Sequence, residues 1–374
     1  MKITYIANAR IPTEKAHGIQ IMKTCEALAR SGASVTLIIP TRRNIASDDP
    51  FHYYGIARIF SIKKIFTPDL IRFGKFGFLS QSIFFSLALF FHPKDLKNCV
   101  IYSRDAIPLF FLLFFYSNIC YEEHTGGDGF FTNSVAQKCR ALVVISQGLK
   151  DFFMQKGVLS EKILVANDGV DLKQFQNVFS CEQSRKSLGL PIYKKIIVYS
   201  GSVGLYDWKG LDIFLDSASF FDENTFFLIV GGSADETKKI QKKYLRKNIL
   251  FVGQKEPNKI PPYLHSADVL IIPNKKGNIV SSRYTSPMKL FEYMASGVPI
   301  VASDLPSIRE ILNEKNSFLV QPDDASALAN GIKKVLADAT GAREIANRAR
   351  RDVAEYSWEK RAEKILKFIS LSPE

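Results

Sequence analysis

The chain has 374 residues, of which 46% are hydrophobic and 23% are charged, so its composition is that of a folded globular protein and excludes a disordered or fibrous one. At roughly 150 residues per domain, this length predicts two domains. The formal net charge is +13, and both halves of the chain are basic. A basic surface suits nucleic acids, anionic membranes or phosphorylated substrates, and composition alone does not choose among them.

Two further features narrow the class of protein. The five cysteines are odd in number and show no C-x-x-C spacing, which predicts a reducing compartment and disfavours both a disulfide framework and a structural zinc site. The uncharged apolar runs 78–91 and 107–120 are shorter than the roughly 20 residues that cross a bilayer. We therefore expect each to form a core helix or a helix–strand pair, and not a membrane span.

Apolar runs alternate with helical patterns from the N-terminus onward. Residues 2–7 read as a first strand and not as a signal peptide, residues 20–30 have helical spacing, and 35–39 reads as the second strand. Later strands are predicted at 100–103, 119–121, 141–145 and 163–166. This alternation predicts a parallel sheet with helices on both faces.

A polar stretch without periodicity predicts a linker near 170–190, after which the alternation restarts. Strands are predicted at 196–200, 226–230, 249–252, 269–272 and 300–302, with helices near 209–219, 235–246, 259–266, 286–296, 306–313, 324–338, 341–354 and 358–369. The predicted fold class is α/β, with two doubly wound domains facing across a cleft, where ligands of such pairs usually bind.

The densest signal is the segment 283–299, RYTSPMKLFEYMASGVP. Ser286 suits a helix N-cap and Pro287 the first helical position, so the free N–H groups that follow predict a site for phosphate. Glu292 lies three residues after Lys289, on the same helix face, where its carboxylate could accept hydrogen bonds from a sugar. The structural alternative is a well-capped amphipathic helix with a Glu–Lys surface pair.

This segment resembles the nucleotide-sugar signature of retaining glycosyltransferases of family 4, the glycosyl transferases group 1, which have the GT-B fold of two Rossmann-like domains. The resemblance implies that Glu292 holds the ribose of the nucleotide. It also implies that the helix start binds the donor diphosphate, through Arg283, Thr285, Ser286, Pro287, Met288 and Lys289. The usual signature has a second glutamate eight positions before Glu292, where this chain has Tyr284.

The resemblance extends along the chain and implies the domain bounds. An acceptor-side domain would cover 1–175 together with a C-terminal crossover helix at about 357–374, and a nucleotide-sugar-binding domain would cover 176–356. In the segment 201–210, Lys209 matches the family's diphosphate-clamping lysine, whereas Ser202 stands where many members have an arginine. We hypothesise that Arg283 or Lys289 substitutes for that arginine, and we include Ser202 among the donor-binding residues.

Residues 8–20 resemble the family's N-terminal glycine loop, which lies beside the donor diphosphate and the acceptor. Gly18 would allow close backbone approach there, although an ordinary strand-to-helix turn is the alternative. His124 resembles the histidine that contacts the transferred sugar. Of Glu122 and Glu123, we expect one to pack or cap locally, and Arg104 is either an acceptor-site or a structural residue.

No Asp-x-Asp spacing and no metal-ligand cluster occur in the sequence. We therefore predict that no metal and no further cofactor is required, with a nucleotide-diphosphate sugar as co-substrate. Lys209 and helix N–H groups would stabilise the charge on the departing diphosphate.

One stretch bears on location, because residues 58–78 mix five basic residues with bulky apolar ones and contain a single acidic residue. This pattern suits docking at an anionic bilayer surface, and the alternative is a cationic face over a phenylalanine-rich core. We predict a cytoplasmic protein with peripheral attachment to the cytoplasmic face of the membrane.

The resemblance implies a retaining glycosyltransferase that moves a hexose-type sugar from a nucleotide diphosphate to an acceptor hydroxyl, with His124, Lys209 and Glu292 as catalytic residues. The acceptor would be a glycan or a lipid-linked sugar, in cell-surface polysaccharide or glycolipid assembly.

A nucleotide-sugar epimerase on the same architecture is one alternative. A basic nucleic-acid-binding protein is another, although no RNP, zinc-finger or helix-turn-helix pattern is present. A dehydrogenase is disfavoured, because no G-x-G-x-x-G opens the first helix.

Overall fold

A computed structural model describes residues 1–42, 49–176, 180–204 and 206–372. The chain divides into two compact units, the first formed by Met1–Asn167 with Trp358–Glu374 and the second by Asp168–Ser357. This boundary precedes the one predicted after residue 175, because the backbone N–H of Val170 donates to Tyr356 O at 3.0 Å and Phe175 is buried in the second unit's core. Positions 177–179 of the predicted linker lie outside the described residues.

The first unit contains a seven-stranded parallel sheet in the order β3-β2-β1-β4-β5-β6-β7. Its strands are β1 Lys2–Ile6, β2 Ser34–Pro40, β3 Ser61–Ile65, β4 Val100–Ser103, β5 Ile119–Glu123, β6 Ala141–Val144 and β7 Ile163–Val165. All except β3 were predicted. The strand order reverses between β1 and β4, and ligands of such sheets bind beyond the carboxyl ends of the strands at that point.

Helices connect these strands. They are α1 Ala16–Arg30, α2 Pro50–Tyr54, α3 Gly74–Phe90, α4 Pro93–Leu96, α5 Ala106–Leu112, α6 Phe130–Lys138 and α7 Gln147–Gln155. The apolar run 107–120 forms a helix–strand pair, as expected. The run 78–91 is helical, but the expectation of a core helix is wrong for much of it, because Phe78, Phe84 and Leu87 are exposed. In the described part of the chain, one helical stretch, Ile71–Phe90, is long and apolar enough for a membrane span.

The second unit contains a six-stranded parallel sheet in the order β10-β9-β8-β11-β12-β13. Its strands are β8 Lys195–Ser200, β9 Thr225–Val230, β10 Ile249–Gly253, β11 Val269–Ile272, β12 Ile300–Ser303 and β13 Phe318–Val320. The sequence predicted all of these except the three-residue β13. The strand order reverses between β8 and β11, which marks the carboxyl edge of these two strands as the place for a ligand.

Helices again lie between the strands. They are α8 Cys181–Leu188, α9 Leu211–Ser217, α10 Ala234–Lys243, α11 Ile260–His265, α12 Met288–Ser296, α13 Pro306–Arg309, α14 Ala325–Ala337 and α15 Ala339–Asp352. The last helix, α16 Trp358–Leu371, belongs to the first unit.

Both faces of the second sheet are buried. Ile196 and Val198 of β8 belong to one hydrophobic core, whereas Ile197 and Tyr199 belong to the core on the opposite face. Strands covered on both sides read as continuous apolar runs, and those runs located them in the sequence. The prediction of two doubly wound α/β units is confirmed.

Candidate functional site

The carboxyl end of β8 in the second unit is shaped by glycines. Gly201 has φ +146°, and a Cβ on Gly231, which has φ +130°, would lie 1.9 Å from Gly201 O. The loops after β8 and β9 therefore pack backbone against backbone, which only glycine permits. The backbone N–H of Ser200 donates to Tyr293 Oη at 2.8 Å, and this bond connects the end of β8 to α12.

Lys209 lies in a 3₁₀ turn, Asp207–Lys209, that ends at Gly210. A Cβ on Gly210 would lie 1.8 Å from Pro273 O, so glycine at this position holds the turn against the residue that follows β11. Lys209 Nζ lies 4.9 Å from the ring centroid of Tyr206. Burial lowers the pKa of Lys209 to about 8.

The start of α12 differs from its predicted form. The helix begins at Met288, with Pro287 in the N-cap position and no side-chain cap. Ser286 was expected to be that cap, but its Oγ accepts a hydrogen bond from the backbone N–H of Asp168 at 3.2 Å. An uncapped helix start still presents N–H groups to an anion.

Lys289 is a cation in an unusual place. Its Nζ is buried, has no hydrogen-bond partner among the described residues, and lies 4.1 Å from the ring centroid of Tyr199. Burial and the nearby charge of Lys209 hold the pKa of Lys289 well below its ordinary value, and Glu292 opposes them. Burial likewise raises the pKa of Glu292 to about 7, against the effect of Lys289. The structure thus brings Lys209, Lys289 and Glu292 together.

Further polar atoms near this edge are buried without partners in the described part of the chain. They are Ser202 Oγ and both amide atoms of Asn274. A buried polar group left unsatisfied costs about 1–3 kcal/mol, so a set of them indicates a place where a ligand or water completes the bonding. The sequence analysis missed Asn274 and Tyr199. The signal for Asn274 was its position two residues beyond a buried strand.

The remaining predicted donor-binding residues surround the start of α12. Arg283 is exposed and Tyr284 half-buried on a short π-helical turn, Val280–Tyr284. The backbone N–H of Thr285 donates to Val280 O at 2.8 Å, and Met288 is partly buried. Their contacts with a donor stay a prediction.

In the first unit, His124 is oriented by Glu122. His124 Nε2 lies 2.5 Å from Glu122 Oε1, and this carboxylate is fully buried. It also accepts hydrogen bonds from Gln20 Nε2 at 2.5 Å and Arg361 Nη2 at 2.8 Å, and from Tyr102 Oη. Burial would raise the pKa of Glu122, but Arg361 and His124 outweigh it and keep the pKa well below its usual range.

Glu123 and Arg104, the other two candidates near His124, have partners within the first unit. Glu123 Oε1 accepts hydrogen bonds from the backbone N–H and the hydroxyl of Thr125, each at 2.7 Å, so it caps the loop after β5. Arg104 Nη1 donates to Gln20 Oε1 at 2.8 Å, which gives this side chain a structural partner. Both Glu122 and Glu123 therefore pack or cap locally.

Gly18 lies in the first turn of α1, and its close neighbour is a side chain. A Cβ there would lie 2.2 Å from Tyr54 Oη. That hydroxyl donates to Thr13 O at 2.8 Å and accepts from Thr13 N–H at 2.7 Å. Packing against Tyr54 accounts for the glycine, and a role of Gly18 beside the donor stays a prediction.

The ranges that the structure describes contain no group of three or more His, Cys, Asp or Glu side chains that could hold a metal ion. Metal independence stays a prediction.

Comparison with known proteins gives a family match over part of the chain. Residues 194–338 match the family described as Glycosyl transferases group 1. A phosphatidyl-myo-inositol mannosyltransferase of Mycobacterium leprae is 30% identical over 211 residues, which are 54% of this chain and 54% of that protein. Other relatives are named as transferases of colanic acid, lipopolysaccharide core and teichuronic acid biosynthesis. The chain spans about half of the length of most of these relatives.

Solved structures match the whole chain. A sucrose-phosphate synthase from Thermosynechococcus elongatus has a TM-score of 0.78 at 20% identity, covering 99% of this chain and 98% of that one. HepE from Anabaena, solved with UDP-glucose, has a TM-score of 0.75 at 17% identity, covering 99% of each chain. At these identities the likeness shows the fold alone, and that fold is GT-B.

Proposed function

We propose that this chain, which carries a glycosyl transferases group 1 domain on a GT-B fold, transfers a hexose-type sugar from a nucleotide diphosphate to an acceptor hydroxyl. Retention of the anomeric configuration is part of the proposal and follows the resemblance to family 4. The acceptor is a glycan or a lipid-linked sugar, in polysaccharide or glycolipid assembly. The names of the curated relatives support this acceptor class.

The observation that carries the proposal is the buried, unpartnered Nζ of Lys289 over Tyr199, with Lys209 and Glu292 nearby. A buried ammonium group whose pKa is lowered further by a second cation is unfavourable in an empty protein. A diphosphate has the negative charge and the acceptor oxygens that the ammonium group of Lys289 lacks among the described residues. The donor's anionic part is therefore the ligand that best completes this edge of the sheet.

Each residue then has a role in the transfer. Lys209, Lys289 and the N–H groups at the start of α12 bind the diphosphate and stabilise the charge that develops on it as the sugar departs. Many family members have an arginine at the position of Ser202. In this chain, Lys289 supplies the positive charge of that arginine. Glu292 accepts hydrogen bonds from the ribose hydroxyls, and His124, oriented by Glu122, contacts the sugar. No metal ion is required in this scheme.

Location is part of the same proposal. All five cysteines are free thiols, in keeping with a reducing compartment. A cytoplasmic protein attached peripherally to the membrane would meet a nucleotide sugar and a lipid-linked acceptor on the same side.

The proposal is tested by measuring nucleotide affinity. The parent protein is compared with the variants Lys289→Met and Glu292→Gln. We expect Lys289→Met to weaken binding of UDP or GDP by about 10- to 100-fold, the range for a lost hydrogen bond to a charged group. The loss should be smaller for UMP or GMP, which lack the second phosphate. Glu292→Gln should weaken all four nucleotides. Isothermal titration calorimetry gives the dissociation constants.

Lys186→Met is the matched control, because Lys186 forms an exposed ion pair with Glu182 in the same unit. Its nucleotide affinity should equal the parent's. Parent-like UDP and GDP affinity in both Lys289→Met and Glu292→Gln would refute the site. Incubation with the donor alone separates glycosyl transfer from epimerisation, since an epimerase would convert the donor with no acceptor present.

A further inference from the structure

Three polar side chains of helix α3 in the first unit are buried, beside the apolar Phe85 and Leu89. Gln81, Ser82 and Ser86 are fully buried. Gln81 Nε2 donates to Thr67 Oγ1 at 2.8 Å, and Asn8 Nδ2 donates to Ser82 Oγ at 2.8 Å. In a helix that packs on a water-soluble domain the polar side normally faces solvent, so this orientation is the reverse of the usual one.

The outward side of α3 carries exposed phenylalanines, and further ones follow the end of α5. We define the phenylalanine face as six side chains that are each 47–85% exposed: Phe73, Phe76, Phe84, Phe91, Phe114 and Phe115. Ring contacts join the elements, because the centroids of Phe90 and Phe115 lie 5.1 Å apart and Phe110 contacts Phe114 at 5.6 Å. Six strongly exposed phenylalanines on neighbouring elements exceed the scattered exposed apolar residues of ordinary soluble proteins.

Basic residues accompany the phenylalanine face. Residues 58–116 contain eight lysines and arginines against three aspartates. Arg72 and Lys75 are exposed at the start of α3, and Lys94 and Lys97 are exposed just beyond its end. Of the aspartates, Asp95 pairs with Lys63 at 2.6 Å. The surface around the aromatic side chains is therefore positively charged.

We infer that the phenylalanine face docks the first unit onto an anionic lipid bilayer, with α3 lying in the plane of the interface. Phenylalanine side chains enter the boundary between headgroups and acyl chains, and the flanking cations contact lipid phosphates. The surface extends well beyond the stretch 58–78 that sequence alone singled out. The inference does not depend on glycosyl transfer, because vesicle binding needs neither donor nor acceptor.

Two other occupants fit the observations less well. A membrane-spanning α3 would have to break the inward hydrogen bonds of Gln81 and Ser82 and leave their polar groups in hydrocarbon. A second copy of this chain would bring two faces of the same positive charge together. An anionic bilayer instead neutralises that charge.

Vesicle flotation with the full chain tests the inference. We expect binding to vesicles of phosphatidylcholine with 30% phosphatidylglycerol, and much weaker binding to phosphatidylcholine alone. Arg72→Gln with Lys75→Gln should weaken the phosphatidylglycerol binding by roughly 30-fold, at about 1 kcal/mol for each cation near an anionic surface. The control pair Lys238→Gln with Lys239→Gln removes two exposed lysines of the second unit and should leave binding at the parent level.

Depth of insertion separates docking by this face from charge attraction alone. Phe76, 85% exposed, and Tyr193, fully exposed in the second unit, are replaced singly by tryptophan. Brominated lipids should quench the added fluorescence of Phe76→Trp and not that of Tyr193→Trp. Equal quenching of the two, no binding to anionic vesicles, or a dimer in vesicle-free solution that Phe76→Ser dissociates would each overturn the inference.

Discussion

Lys289 and Tyr199 show how the second unit keeps a cation away from water. The aromatic ring of Tyr199, 4.1 Å from Nζ, offers a partial electrostatic partner. It cannot replace the hydrogen bonds of an ammonium group, and burial together with the charge of Lys209 holds the pKa of Lys289 well below its ordinary value. A bound anion would supply those bonds, and proton uptake should then accompany binding.

The pKa of Lys209, about 8, predicts how nucleotide affinity depends on pH. Only the protonated amine attracts a diphosphate, and the bound anion raises the pKa of the amine. Binding must therefore take up a proton at pH values above about 8. Through Lys209 alone, we expect the affinity for UDP or GDP to fall between pH 8 and pH 9.5 by up to about tenfold per pH unit, which calorimetry at pH 7, 8, 9 and 9.5 measures.

Lys209→Arg provides the comparison, because arginine stays charged throughout this range. The fall in affinity should become shallower in this variant without vanishing, since Lys289 still titrates. Identical slopes in the parent and in Lys209→Arg would show that the charge of Lys209 does not contribute to binding.

Individual strands and helices show which parts of the fold could be predicted from the sequence and which could not. Strands such as β8 and β11 are continuous apolar runs, because both faces of the sheet are covered. Strand β3 escaped prediction because Lys63 and Lys64 interrupt its apolar pattern at the sheet edge. The run 78–91 revealed a helix, but composition could not tell that Gln81 and Ser82 would be buried while Phe78, Phe84 and Phe91 are exposed.

The last helix, α16, is anchored within the first unit by a buried cation. Arg361 Nη2 donates to Glu122 Oε1 at 2.8 Å and its Nε to Asn167 O at 3.0 Å. We expect Arg361→Ala to lower the free energy of unfolding by about 3–5 kcal/mol, because it leaves the Glu122 carboxylate buried without its cation. Urea denaturation followed by circular dichroism measures the change.

Arg348→Ala is the control, since Arg348 pairs with Asp352 at the surface. Exposed pairs contribute less than about 1 kcal/mol. If the two variants lost the same stability, Arg361 would not be the buried anchor that its contacts indicate.

Across the whole molecule, the sequence predicted the class of fold better than the composition of the site. Two rounds of strand–helix alternation suffice for two doubly wound units, because that pattern is local. The site depends on contacts between distant parts of the chain. Tyr199 meets Lys289 across 90 positions of sequence, and Asn274 is left unpartnered among the described residues only by the packing around it. Neither relation has a local signal in one sequence.

The reactivity of the five cysteine thiols measures how well each unit buries them. Cys25, Cys99, Cys120 and Cys139 are buried in the first unit, and Cys181 of the second unit is exposed. Burial raises the pKa of Cys139 to about 12 and also raises that of Cys181, and a thiol reacts as its thiolate. We therefore expect Ellman's reagent at pH 8 to modify one thiol per native chain, slowly, and all five in guanidinium chloride.

Cys181→Ser should abolish the native reaction and leave four thiols after unfolding. Fewer than five in the unfolded parent would reveal a disulfide, and more than one in the native chain would contradict the packing of the first unit.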